Sequence, residues 1–83
     1  MKTINDLKTE NWFYVQVFGP MDGPHTVYRT IVFATTISEG IKKVYEWAAD
    51  NKYNVRPISA SDLYRKNYVR EARQMVQSNN YIA

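Results

Sequence analysis

One histidine, eight carboxylates and four serines are the side chains on which acid–base, metal or nucleophilic chemistry would have to rest. His25 stands three residues from Asp22 in the run GPMDGPH. A general base or metal ligand needs a second strong ligand or a reacting group within reach, and none accompanies this pair along the chain. A loop histidine without a catalytic role is therefore expected. Ser38, Ser59, Ser61 and Ser78 fall at helix starts, in a loop and in a tail, away from the strand–turn–helix setting of a nucleophile elbow. Glu39, Glu46 and Asp50 share their stretch with lysines that can neutralise them, so no acid–base pair is expected there. In GPMDGP, Pro20 and Pro24 remove amide donors that a phosphate cradle would need, and no GK[ST] or GxGxxG follows. The absence of cysteine excludes disulfides, thiolate metal sites and cysteine nucleophiles. These residues lead away from an enzyme, and neither cofactor nor metal is expected.

Two other groups of side chains could act by binding. Lys66, Arg70 and Arg73 recur on one face of a helical stretch, with Arg65 and Arg56 nearby in sequence. Such a row can meet nucleic-acid phosphates or an acidic patch on a protein; it is equally an ordinary solvated face, moderated by Asp62 and Glu71. Without a helix-turn-helix or the aromatic-plus-basic strand pattern of RNA-binding domains, a protein partner is favoured over nucleic acid. The second group is Trp12, Tyr14, Gln16 and Phe18, which alternate with Phe13, Val15 and Val17. If exposed, these aromatics form an interaction patch, joined by Tyr28, Thr30 and Val32 where the register allows. If a helix crosses beneath them, they are core. Two-layer domains usually place both helices on one side of the sheet, so exposure is expected.

The elements that must position these residues are legible from periodicity. Residues 12–18 and 26–34 are rich in aromatic and β-branched residues, and the short Gly-Pro loop between them makes an antiparallel hairpin. Thr36 and Glu39 have capping-box spacing and start a helix through ISEGIKKVYEWAADNK, with Ile41, Val44, Tyr45 and Ala48 at helical spacing and Glu39–Lys43 as an i,i+4 pair. Gly40 is a local cost that permits close packing. A third strand is expected at 53–58, ending at Pro57, and a second helix over 62–77 capped by Ser61. A right-handed crossover then gives a ββαβα, α+β fold with a three-stranded antiparallel sheet in the order 2-1-3, strand one central. At 83 residues, 45% hydrophobic and 14% aromatic, the chain reads as one folded domain with loose ends at 1–10 and 78–83. No apolar run reaches signal-peptide or membrane-spanning length, so a cytoplasmic protein is expected. The net charge of +3 biases encounter toward acidic surfaces.

The segment WFYVQVF…IVFATTISEGIKKVYEW…YNVRPI resembles the small RNA-polymerase-inhibiting proteins of T7-type phages. The residues that carry the likeness are Trp12, the step Phe33-Ala34-Thr35-Thr36, Glu39, the pair Glu46-Trp47, and Arg56-Pro57. It spans residues 12–58, with a different hairpin loop and an additional basic second helix. The resemblance implies a sheet-and-helix module that binds a large host enzyme through strand surface and basic residues. The expectation is thus a non-enzymatic, phage-type host-takeover protein, monomeric or homodimeric. It would bind and modulate a larger host assembly such as RNA polymerase, a nuclease or a protease machine, from within the host cytoplasm. Its contacts would be Trp12, Tyr14, Gln16, Phe18, Arg56, Lys66, Arg70 and Arg73. The alternative is a small basic nucleic-acid-binding protein.

Overall fold

The computed structural model describes residues 1–9, 11–19, 27–65 and 69–83. Strand β1 (Trp12–Phe18) pairs antiparallel with β2 (Val27–Phe33) along its whole length, from Trp12 opposite Phe33 to Phe18 opposite Val27. On its other side β1 pairs antiparallel with β3 (Leu63–Tyr64), so the sheet has the expected order β2-β1-β3. Residues directly opposite one another project to the same face. Ile31 and Phe33 therefore accompany Tyr14 and Trp12, whereas Tyr28, Thr30 and Val32 accompany Val17, Val15 and Phe13. The expected company of Tyr28 with Trp12 is corrected by this parity, because a one-residue difference in register exchanges faces.

Each face has its own helix. Helix α2 (Ile37–Asp50) sets Val44, with Ile41 and Trp47, against Val15, Val17, Val32 and Leu63. Helix α3 (Arg70–Gln77) sets Ala72 and Val76, with Val69 and Met75, against Trp12, Tyr14, Ile31 and Phe33. The sheet is the middle of three layers, and the expected exposure of the Trp12/Tyr14 face is corrected: both residues are 3% exposed. A central strand with aromatic or aliphatic residues on both faces has two surfaces to hide. Burying each large apolar side chain contributes roughly 1.5–3 kcal/mol, which favours a cover on both sides.

The polar ends of these aromatics are used within the fold. Trp12 Nε1 donates to the Leu7 carbonyl at 3.0 Å, in the short helix α1 (Asp6–Thr9). The Ala72 amide, in the first turn of α3, donates to the Tyr14 hydroxyl at 3.2 Å. Val69, the residue preceding α3, has no side-chain acceptor to cap it, so the sheet supplies one.

Helix α2 begins as its sequence requires. The Glu39 amide donates to Thr36 Oγ1 at 3.1 Å, while the Glu39 carboxylate accepts from the Thr35 hydroxyl at 2.6 Å and the Thr35 amide at 3.2 Å. The carboxylate thus reaches one residue further back than a simple capping box. Lys43 lies 3.4 Å from Glu39 and donates to the Phe33 carbonyl at 2.6 Å, tying α2 to the end of β2. A Cβ on Gly40 would stand 2.6 Å from Leu63 Cδ2, so the missing side chain allows α2 to approach β3 closely.

Three expectations for the second half of the chain are corrected. Residues 53–58 form no strand; one amide, that of Arg56, bonds to the Phe18 carbonyl at 3.0 Å. The paired strand comes later, after a 3₁₀ turn at Ala60–Asp62, and α3 starts at Arg70 rather than at 62. Pro57 removes a ladder donor from the earlier segment, while Leu63 brings the apolar side chain that the Val15 face needs. Beyond β3, the Arg65 guanidinium replaces ladder amides by donating twice to the Trp12 carbonyl, at 3.0 and 2.8 Å. Finally, the tail is ordered into the sheet: Ile82 bridges Val32 in parallel, bonds to Ile31 and Phe33, and is 7% exposed.

Candidate interaction surface

The structure divides the residues expected to bind a partner. Trp12 and Tyr14 are core. Gln16 and Phe18 continue along the same face of β1 and are only half-buried. Arg56 joins them, its guanidinium 4.5 Å from the Phe18 ring centroid, and Gln16 Nε2 donates to the Tyr64 hydroxyl at 3.1 Å. Arg29, opposite Gln16 in the register, is exposed. Arg70 and Arg73 are exposed on α3. Lys66, His25 and Asp22 lie outside the described residues.

A second constellation, which sequence reasoning missed, lies on the opposite face at the same end of the sheet. Tyr28, Trp47 and Tyr53 gather there. Their ring centroids are 5.1 Å (Tyr28–Trp47), 5.2 Å (Trp47–Tyr53) and 6.0 Å (Tyr28–Tyr53) apart, with planes tilted 36° to 49°. With Val17, Gly19, Asn54 and Val55 they line an open groove of about 310 Å³. Tyr28 and Tyr53 remain 39% and 49% exposed.

Local chain geometry explains how three rings from separate elements meet. Tyr28 is opposite Val17 in the hairpin register. Trp47 lies in the last turn of α2. After α2, Lys52 adopts the left-handed conformation (φ 59°), its amide bonding to Ala49 O at 3.1 Å and that of Tyr53 to Ala48 O at 2.8 Å. This is a Schellman ending, in which the residue after the left-handed position folds back onto the last turn of the helix. The Tyr53–Trp47 contact is the apolar contact that accompanies it. The readable signal was an aromatic pair astride Asn51-Lys52 at the end of an amphipathic helix.

The groove's described lining carries no formal charge; Lys52 precedes Tyr53 in sequence, whereas Arg29, opposite Gln16, and Arg56, over the Phe18 ring, belong to the other face of the sheet. Segments 27–33 and 51–58 contain these three cations and no carboxylate. Glu46 and Asp50 belong to α2, on the helical side of Trp47. Far from this end, the Thr35 hydroxyl and amide, aided by Lys43, hold the Glu39 carboxyl below the usual glutamate range. Among the described residues, no group of three His, Cys, Asp or Glu side chains is placed to hold a metal ion, and no helix is long and apolar enough to cross a membrane.

No family model, curated protein or solved structure gives a significant match to the chain.

Proposed function

We propose that the protein is a non-enzymatic protein-binding module whose contact surface is the hairpin end of the sheet, not the Trp12/Tyr14 face. The observation that carries this reading is the open aromatic groove. A chain that packs Trp12, Tyr14 and Phe33 into its core leaves Tyr28 and Tyr53 substantially exposed around a groove. Exposed aromatic clusters mark contact surfaces, because Tyr and Trp offer large area with few rotatable bonds. Phe18, Arg56 and Arg29 extend the surface around the end of the sheet. The resemblance over residues 12–58 to phage inhibitors of RNA polymerase suggests the class of partner: a larger host enzyme assembly, occluded or bridged by this module.

Affinity capture from a host lysate tests the reading, comparing the native chain with a Tyr28→Ala/Tyr53→Ala variant. One stoichiometric protein partner, lost with the variant, is the expected result. Recovery of no partner, or equal capture by the variant, would overturn it. The exposed Arg70 and Arg73 favour a second reading, a basic nucleic-acid-binding protein. That reading requires binding to DNA or RNA that weakens steeply with added salt and is lost in Arg70→Glu/Arg73→Glu.

A further inference from the structure

We infer that the end of the sheet beyond α3, where Arg29 and Arg56 flank Gln16 and Phe18, receives two carboxylates from an acidic segment of the partner protein. The inference rests on the protein-binding reading above and assigns the chemistry of one part of the contact.

The strand register gathers these side chains on one face. Arg29 is directly opposite Gln16, and Phe18 lies two residues further along β1. Ile31 and Phe33 turn their backbone groups outward to Ile82, so the matching residues of β1, Phe18 among them by alternation, turn theirs away from β2. Arg56 therefore approaches from the opposite edge of β1, where its amide donates to the Phe18 carbonyl at 3.0 Å and its guanidinium stands 4.5 Å from the Phe18 ring centroid. The two arginines come from opposite sides of β1, with Gln16 and Phe18 between them. Helix α3 packs over Trp12, Tyr14, Ile31 and Phe33 at the other end of this face, so Gln16 and Phe18 stay half-buried and Arg29 exposed.

Charge selects the occupant. Residues 12–18, 27–33, 53–58 and 63–64, which build the sheet and its hairpin end, carry these two arginines and no carboxylate. Among the described residues, neither arginine has a carboxylate within ion-pair distance. Arg56 is also positioned in advance: it is half-buried, its amide is bonded, its guanidinium rests on Phe18, and Pro57 restricts its backbone. A cation ordered before binding loses little freedom on meeting a carboxylate, to which the planar guanidinium offers paired donors. A second copy docked face to face would bring arginine to arginine. Nucleic acid is the other polyanion, and it gains affinity by stacking bases on open rings. Here the Phe18 ring already has Arg56 against it, and the Tyr64 ring is stacked on Tyr14 with centroids 5.8 Å apart. Two cations beside rings already engaged fit the carboxylates of a protein better.

The test uses the intact protein and a fluorescent synthetic peptide of alanine and serine carrying two glutamates two residues apart. In an extended segment such glutamates share one side, about 6.8 Å apart. The same peptide with glutamines is the control. At low salt the glutamate peptide is expected to bind at least ~10-fold more tightly than the control, and added salt should weaken it. Arg29→Gln/Arg56→Gln should abolish the difference while circular dichroism stays native. Lys42→Gln/Lys52→Gln, an equal change of net charge at exposed positions on and after α2, should leave it within about twofold. Arg29→Gln alone, at an exposed position, should already weaken the glutamate peptide about threefold, and serves if the double variant unfolds. Equal binding of the two peptides at millimolar concentration, a difference that survives loss of the arginines, or an equal loss with the lysine pair overturns the inference. So does a single-stranded oligonucleotide that binds more tightly than the glutamate peptide through the same arginines, which assigns the face to nucleic acid. A protein partner captured through Tyr28 and Tyr53, and equally well by Arg29→Gln/Arg56→Gln, refutes this chemistry alone. Capture of no partner refutes the underlying function and this inference with it.

Discussion

Tyr14 links two layers of the molecule through one side chain. Its ring is buried with Trp12, Ile31 and Phe33, and its hydroxyl accepts the Ala72 amide at the start of α3. Tyr14→Phe keeps the packing but leaves that amide without this acceptor, and is expected to cost about 1 kcal/mol in urea unfolding. Tyr14→Ala should cost about 3–5 kcal/mol, the range for truncating a buried aromatic. The sequence alone pointed the other way, toward a contact residue with little bearing on stability. Trp and Tyr suit both roles, because each joins a large ring to a polar group that needs a partner. Glu39 shows a residue-scale effect of the opposite kind, readable in advance from Thr36-x-x-Glu39. Its carboxyl is held below the usual range by Thr35 and Lys43, so its contribution is present above the ordinary glutamate value and is lost as pH falls through the lowered one. Glu39→Gln should therefore lower stability at neutral pH and flatten its decline on acidification, as read by thermal melts from neutral pH to about pH 3.

At the scale of elements, the two longer helices end in the same way. Lys52 after α2 and Asn79 after α3 are both left-handed, at φ 59° and 58°, and each turns the chain back onto its helix. The first ending brings Tyr53 to Trp47; the second directs the chain along the outer edge of β2, where the Asn80 side chain donates to the Arg29 carbonyl at 3.2 Å. Lys52→Gly should raise stability by ~0.5–1 kcal/mol in equilibrium denaturation, since glycine bears the left-handed position more easily. The hairpin strands, α2 and its cap were legible because each is written in local periodicity. Strand β3 was not. It has two residues, too few to show alternation, and the aromatic and β-branched run at 53–58 offered a stronger but misleading pattern.

For the molecule as a whole, the last residues complete the sheet. Ile82 closes the outer edge of β2 with two backbone hydrogen bonds, and the Tyr81 ring packs edge-on to Phe33 at 5.9 Å. Truncation after Asn80 removes both hydrogen bonds and the burial of Ile82, an expected loss of about 3 kcal/mol. It also opens an unpaired strand edge. A lower melting temperature, together with concentration-dependent association in size-exclusion chromatography, is expected. The same global view relocates the proposed contact surface. With a helix on each face, the middle of the sheet is covered, and the hairpin end leaves Tyr28 and Tyr53 exposed.

The amino-acid sequence by itself determined the α+β class, the 2-1-3 sheet order, the central place of β1 and the start of α2. These follow from alternation, capping and chain handedness, which act over a few residues or one crossover. Tertiary structure alone decided that α3 crosses the Trp12/Tyr14 face, that Ile82 joins the sheet, and that Tyr28, Trp47 and Tyr53 meet. Each of those outcomes depends on which apolar surface remains uncovered after the other elements have packed. An amphipathic helix pattern states that one face must be buried; it does not state against which side of a doubly apolar sheet.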